Sequence, residues 1–491
     1  MNHLKNIQIK GQLVLLLLLL VMVLASSCKK KEVAQAELSI SLSEAAFEPE
    51  GGTSTITVAS NSNWTINNPA TSWVQLNQTL GSAGSTDLQL TVIANGTGAS
   101  RSATLIVTSG NGQSRRLKLS QKGHLFPSYN TSPQAPDQTG MGSTAVQLAA
   151  KMHLGWNIGN TMESPGGESG WGNPQITESY IKFLKQTGFN AVRLPCSWDW
   201  HHLSDRSKAQ IDPLWINRVK EVVKYCVDND MYVLLNIHWD GGWLENNINH
   251  AKKDSVDAKQ KALWEQIATS MRDFDEHLMF ASANEPAAHN AEEVAILNGF
   301  HQTFINAVRS TGGKNSYRVL VIQGPATNGD LTNELMNKLP IDQVPDRLMI
   351  EIHNYTPSQF TILDGDATWG KMFYYWGTGY HSTIEPGRNA TWGEESEHPR
   401  EFSLMKSKFI DKGIPVILGE YGAYKRRGSR NVPLDIEKHN ASVDYWNNYV
   451  TKQAIKFGLK PFFWDTGGAL DRRNNTVLDP GTINALITGA H

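Results

Sequence analysis

The sequence predicts an α/β fold, a (β/α)8 TIM barrel, preceded by a small all-β immunoglobulin-like sandwich, and three observations carry that reading. From residue 142 to 491, apolar strand-like runs alternate with amphipathic helical patterns eight times over about 350 residues, the count and length of such a barrel. Nearly all of those runs end in a polar or aromatic residue, which an open doubly wound sheet would not require. Ahead of them, residues 36–122 alternate apolar and polar residues with period two between Gly, Asn and Ser turns.

Residues 1–27 read as an export signal. Lys5 and Lys10 precede the apolar run "LVLLLLLLVMVL", which is short for a bilayer span. Small residues follow in "ASSC", and the stretch resembles the lipobox of a bacterial lipoprotein, with Ala25 where such boxes usually carry Leu. That resemblance implies acylation of Cys28 and a chain anchored by lipid to the cell envelope, at the outer membrane or cell surface. With Cys28 set aside, Cys196 and Cys226 read as buried free thiols rather than a disulfide framework. The formal net charge of −2 gives no electrostatic case for nucleic acid or an acidic membrane surface. Fifteen tryptophans exceed what a core of this size needs and suit a ligand with apolar faces and polar edges, such as a sugar ring.

In the sandwich, the strand-like runs are "ELSISL", "STITVAS", "DLQLTVIAN", "SATLIVTS" and "RRLKLSQKG". Together with "NSNWTI" and "SWVQL" they resemble a BACON-type domain, a module often found ahead of glycan-degrading domains. Trp64 and Trp73 are read as inward core rings, and the domain as a spacer. Residues 123–141, "GHLFPSYNTSPQAPDQTGM", hold three prolines among polar residues and read as a partly extended linker.

The barrel strands are expected in "HLGWNIG", "FNAVRLP", "MYVLLNIH", "HLMFASANE", "YRVLVIQG", "RLMIEIHNY", "IPVILGEYG" and "KPFFWDTG". Their C-terminal ends carry Asn157, Arg193, His238, Glu285, His353, Glu420 and Trp464, which a barrel brings to one mouth. Glu285 and Glu420, at strands four and seven, face each other across it. Glycoside hydrolysis needs such a pair, one carboxyl to protonate the leaving oxygen and one to attack or activate water on the opposite face. Arg193 and Tyr355 are placed to keep Glu420 ionised as a nucleophile. Glu285, beside Asn284 and near His353, is expected to retain its proton near neutral pH. Asn284 suits a sugar 2-hydroxyl, Trp464 a floor for the reacting sugar, and Glu351 a hydrogen-bonding position one layer below.

In order and spacing, "GWNIGNT", "RLP", "NIHWDGGW", "NEP", "EIHNYTP", "LGEYGA" and "FFWDTG" resemble glycoside hydrolase family 5, and "GWNIGNT" with "GWGNP" its subfamily 4. The resemblance covers about 145–490. It implies Glu285 as acid/base and Glu420 as nucleophile, with Arg193, His238, Asn284, His353, Tyr355 and Trp464 in support, Asn157 as a polar contact to the glycone side, and Trp239 in the substrate cleft. It further implies a retaining endo-β-1,4-glucanase that cuts cellulose derivatives, mixed-linkage glucan or xyloglucan, works as a monomer and needs no cofactor. An endo-β-mannanase and a non-catalytic glycan-binding surface lipoprotein are the alternatives.

Two simpler readings compete for these residues. Glu285 followed by Pro286 also suits the acidic start of a helix. His201, His202, His238 and His353 show no H-x-H or H-x-x-x-H spacing, so no metal is expected. Of the rings Trp171, Trp239, Trp243, Trp369, Tyr374, Tyr375, Trp376 and Trp392, about half are assigned to the core and the rest to sugar stacking in the loops after strands one, three and six.

Overall fold

The computed structural model describes residues 35–95, 100–123, 125–428 and 430–491, so the expected leader and Cys28 lie outside the described residues. The chain divides into two compact units after Gly123. In the first, strands Leu38–Ile40, Gly52–Ser60, Gly84–Val92 and Val74–Leu76 form one sheet. Strands Glu44–Phe47, Ser114–Gln121, Arg101–Ser109, Trp64–Asn67 and Leu80–Gly81 form the other. Trp64 and Trp73 point into the core with Val58, Leu90, Leu105 and Leu117, and the Arg101 guanidinium stacks 4.6 Å from the Trp73 ring centre. Neither tryptophan is available as a sugar platform.

The second unit contains a closed barrel of eight parallel strands: β1 Gly155–Ile158, β2 Ala191–Leu194, β3 Tyr232–Asn236, β4 Leu278–Ala281, β5 Leu320–Gln323, β6 Leu348–Asn354, β7 Val416–Tyr421 and β8 Lys460–Asp465. Each lies within one of the eight apolar runs. Outer helices begin at residues that accept their free N–H groups: Asp212 before Pro213–Asp228, Asn290 before Ala291–Ser310, and Asp435 before Ile436–Lys456. Cys196 and Cys226 are buried free thiols.

Alternate residues of a strand face the barrel interior. Near the N-terminal end this parity gathers Ala191, Leu234, Met279, Val321, Met349, Ile417 and Phe462, closed from below by Leu148 and Ala149 of the helix Ala145–Lys151. Two residues further along, the same parity brings Arg193, Asn236, Gln323, Glu351 and Trp464 inward. An apolar floor therefore carries a polar layer directly above it, tolerated because its polar groups find partners: Arg193 and Gln323 at Glu351, and Asn236 at Cys196 N and His238 Nδ1.

Strand β7 departs from the parity. Leu418 pairs with Ile352 and then Glu420 with His353, so Gly419 is an extra residue on β7. The bulge turns Glu420 inward, where strict alternation would have placed Tyr421. Glycine suits the position because a Cβ there would lie 2.0 Å from Oε1 of Glu351.

The expected linker needs correction. It is extended, but residues from Ser128 onward are fixed to the barrel unit rather than free. The Glu265 carboxylate accepts from Ser128 Oγ at 3.0 Å, Tyr129 N at 2.6 Å and Asn130 N at 3.2 Å. Tyr129 Oη donates to Lys208 O, Gln134 N donates to Thr311 O, and Asp137 pairs with Lys314 at 2.8 Å. A polar, proline-rich segment buries little apolar surface, so only its hydrogen bonds hold it, and these are invisible to hydrophobic periodicity.

Glu265→Ala removes the acceptor shared by three donors. It is expected to destabilise the barrel unit by about 2–4 kcal/mol, since donors left unsatisfied cost about 1–3 kcal/mol each. Limited proteolysis should then cut within 128–138, which the parent protein should resist.

Candidate active site

Arg193 stands at the centre of the mouth and has no exposed surface. Its Nη1 donates to Glu420 Oε1 at 2.7 Å and to Asn157 Oδ1 at 3.0 Å, and its Nη2 to Asn284 Oδ1 at 2.7 Å. Nε lies 2.8 Å from Glu351 Oε1, a charge contact rather than an aligned hydrogen bond. Tyr355 Oη donates to the other Glu420 oxygen at 3.0 Å. Both expected partners of Glu420 are therefore in place.

Glu285 lies beyond the end of β4, with its side chain 46% exposed toward the cleft. Its backbone N–H donates to Glu245 Oε1 at 2.8 Å, and burial pushes the Glu245 carboxyl up to about 7. The helix-start reading fails, because the helix that follows begins at Ala291 and is capped by Asn290. His353 Nδ1 is 2.8 Å from Glu285 Oε1 and 3.7 Å from Glu420 Oε2, and its Nε2 is 3.2 Å from Glu351 Oε1. One oxygen of each of Glu285 and Glu420 and a ring nitrogen of His353 lie within 4.8 Å of one another.

These contacts correct the expected protonation. Burial pulls the His353 imidazole down, but the charges and hydrogen bonds of Glu420, Glu285 and Glu351 outweigh it and push it up to about 9. Burial raises Glu285, yet the bond to cationic His353 leaves it below the ordinary glutamate range. Both directions favour His353 over Glu285 as the holder of a proton in the free site. Burial raises Glu420, against the opposing pull of His353 and Arg193. The close spacing of the three groups makes a cluster that can share a proton.

Asn157 also differs from expectation. It is fully buried, and its Nδ2 donates to the carbonyls of Gly419, Phe462 and Phe463 while its Oδ1 accepts from Arg193. All its polar atoms are engaged in tying β1 to β7 and β8, so it has none to offer a sugar. Asn284 has its Oδ1 committed to Arg193 and can address a ligand only through Nδ2. The Trp464 ring stacks on His238, with centres 5.4 Å apart and planes 13° from parallel. Burial, then Arg193 and His353, holds His238 well below the usual histidine range, so it is neutral.

The model of cellulase, glycosyl hydrolase family 5, matches residues 157–469. The chain belongs to glycoside hydrolase family 5. The BACON model, described as a putative N-terminal binding domain, matches residues 38–122. A xyloglucan-specific endo-beta-1,4-glucanase of Bacteroides ovatus is 34% identical over 76% of this chain and 76% of its own length. Endoglucanase A of Paenibacillus barcinonensis is 31% identical over 74% of this chain and 94% of its own. Among solved structures, the B. ovatus family 5 xyloglucanase in complex with a XXXG heptasaccharide has a TM-score of 0.69 at 32% identity, covering 93% of this chain and 99% of that one. A xyloglucan-specific family 5 glucanase from a ruminal metagenomic library, in complex with XXLG, has a TM-score of 0.65 at 38% identity, covering 71% and 96%.

The loops of this family 5 barrel divide the aromatic residues into buried and exposed rings, with Trp243 partly buried against the core. Tyr374, Tyr375 and Trp376 are buried. The guanidinium groups of Arg388 and Arg426 lie 5.0 Å and 5.8 Å from the Tyr374 ring centre, and the Trp376 indole donates to Gly393 O. They form the internal core of the long loop after β6. Trp171, Trp239, Trp369 and Trp392 are exposed. Trp239 is held in the left-handed region at φ +40°, edge-on to Trp200 with ring centres 5.1 Å apart. The carboxylate of Asp240 accepts from Asp199 N at 2.7 Å, Trp200 N at 2.9 Å and Trp243 Nε1 at 3.0 Å, tying the loops after β2 and β3 together. Sequence reading missed Asp240, Glu245 and Gln323. For Asp240 the signal was the "DGG" that follows Trp239, and for the other two there was none.

Asn157→Ala separates a structural role from a sugar contact. It leaves buried carbonyls without a donor, which costs about 1–3 kcal/mol. Thermal unfolding should show that loss, and kcat should fall while KM stays within about two-fold; a rise in KM with unchanged stability would contradict the assignment.

Proposed function

We propose that this enzyme is a retaining endo-β-1,4-glucanase whose preferred substrate is a decorated β-1,4-glucan of the xyloglucan type. The carrying observation is the opposed pair Glu285 and Glu420, with facing oxygens within 4.8 Å. That spacing suits direct attack, for which carboxyl groups lie about 5–5.5 Å apart, and leaves no room for the water that inverting enzymes place between groups about 6.5–9.5 Å apart. Glu420, oriented by Arg193 and Tyr355, attacks the anomeric carbon to form a glycosyl-enzyme. Glu285 protonates the departing oxygen and then deprotonates the water that releases the sugar. Asn284 donates to the 2-hydroxyl, and the Trp464 ring underlies the reacting sugar. The named relatives act on glucan and xyloglucan, which favours this reading over mannan, and two opposed carboxyls serve no purpose in a binding-only protein. Trp171, Trp239, Trp369 and Trp392 offer stacking faces along the cleft for a long substituted chain.

The export signal and "ASSC" stretch support a lipid anchor at the cell envelope, with the sandwich as spacer. Cys28→Ala should move the protein from the membrane fraction to the soluble fraction with specific activity unchanged; retention in the membrane would exclude the anchor.

Azide rescue tests the catalytic roles. On an aryl cellobioside, Glu420→Ala with azide should yield the α-glycosyl azide and Glu285→Ala the β-glycosyl azide, each variant being nearly inactive on polysaccharide without it. The reverse stereochemistry would exchange the two roles. The activity profile against pH should be bell-shaped. Its acid limb reports protonation of Glu420 and lies above the ordinary glutamate value, because burial raises that group. Its alkaline limb reports loss of the proton held by His353 near pH 9.

A further inference from the structure

Below the two proposed catalytic carboxyls lies a third, Glu351, fully buried on β6. Its Oε1 faces both Arg193 Nε at 2.8 Å and His353 Nε2 at 3.2 Å. Its Oε2 accepts from Gln323 Nε2 at 2.6 Å, and Gln323 Oε1 in turn accepts from the backbone N–H of Ala283, two residues before Glu285. One carboxylate thereby touches the cation that orients Glu420, the imidazole that bonds Glu285, and the amide that fixes the segment carrying Glu285. The bulge residue Gly419 leaves the space it occupies.

We propose that Glu351 is a positioning residue that keeps the catalytic proton stored on His353, from which Glu285 is loaded once a sugar fills the cleft. This rests on the assignment of Glu285 as acid/base. The charged groups facing His353 are Glu285 from the segment after β4, Glu351 on its own strand, Glu420 on β7, and Arg193 on β2, with neutral His238 on β3. If His353 is protonated, three carboxylates face two cations. When a sugar expels water, the His353–Glu285 ion pair loses solvation and favours its neutral form. The Nδ1 proton then passes to Glu285 Oε1, leaving neutral imidazole and carboxylic acid. Glu285 gives that proton to the glycosidic oxygen as Glu420 forms the ester bond and the glycosidic bond breaks. In the second half, the proton taken from water by Glu285 returns to Nδ1, so the proton count closes.

Glu351→Gln keeps the shape and removes the charge. On cello-oligosaccharides, whose leaving group must be protonated, kcat/KM should fall about 10²-fold or more. On a dinitrophenyl cellobioside, which needs no acid, it should fall less than about five-fold, and the alkaline limb on the oligosaccharide should move down by about 1–2 pH units. Equal losses on both substrates with an unmoved limb would overturn the proposal, as would unchanged kinetics. Should the variant not fold, 15N NMR of the parent enzyme decides: both His353 nitrogens protonated at pH 7.5 supports the store, and a neutral ring refutes it. Azide rescue at Glu285 and Glu420 that succeeds while these tests fail rejects this inference alone, and failed rescue rejects the assignment beneath it.

Discussion

The mouth of this barrel is organised around the charge of Arg193, a guanidinium with no exposed surface. A cation withdrawn from water is tolerated only when it is paired and its donors are engaged. Arg193 is paired with Glu420 and Glu351 and donates through both Nη groups, with Nε in charge contact only, and its partners come from four separate stretches of chain: Asn157 on β1, Asn284 after β4, Glu351 on β6 and Glu420 on β7. The consequence reaches each partner. Asn157 becomes a brace instead of a sugar contact, Asn284 keeps only its donor side for a ligand, and Glu420 is held with one oxygen toward Arg193 and the other toward Tyr355.

The same constraint explains what could be read without coordinates. All eight strands were legible, because a parallel strand covered on both faces is written as an apolar run, and its last inward residue stands out when it is polar. The convergence of Arg193, Glu285, His353, Glu420 and Trp464 followed from that rule together with the family motifs. The direction in which each side chain points was less legible. Glu420 faces inward through a one-residue bulge, and the only trace of the bulge in "LGEYG" is a glycine whose reason for being there, the Glu351 carboxylate, sits some seventy residues earlier in the chain. Asn157 was placed correctly at a strand end, but its partners are backbone carbonyls, which no side-chain pattern reveals. Glu265, which secures the segment read as a linker, falls inside an ordinary amphipathic helix.

Aromatic residues show a similar limit. Composition correctly indicated more rings than a core requires, yet could not separate Tyr374, Tyr375 and Trp376 from Trp369 and Trp392 in the same loop. The difference is mechanical. A loop of more than thirty residues needs an interior of its own, and here Tyr374 with two arginines against its ring, Tyr375 and Trp376 supply it. Of the rings left outside, Trp392 is anchored by its indole donating to Gln359 Oε1, and a ring held in place loses less entropy on stacking against a ligand. Asp240 does the equivalent for Trp200 and Trp239 on the opposite loops, with hydrogen bonds in place of apolar packing.

The deeper coupling is between charge and bond making at Glu420. Its anionic charge, with Glu285 and Glu351, raises His353 and so helps to retain the proton that the first step spends. In the proposed cycle, esterification of Glu420 removes that charge at the moment the proton leaves with the aglycone. The remaining Glu285 and Glu351 carboxylates then face one guanidinium and a neutral imidazole, a set with a net negative charge that draws a proton from incoming water. Hydrolysis of the ester restores the Glu420 anion, and with it the field that holds the recovered proton on His353. Bond formation at one carboxyl therefore governs proton affinity at the other without any movement of the backbone, which is what a rigid barrel layer braced by Arg193 is suited to provide.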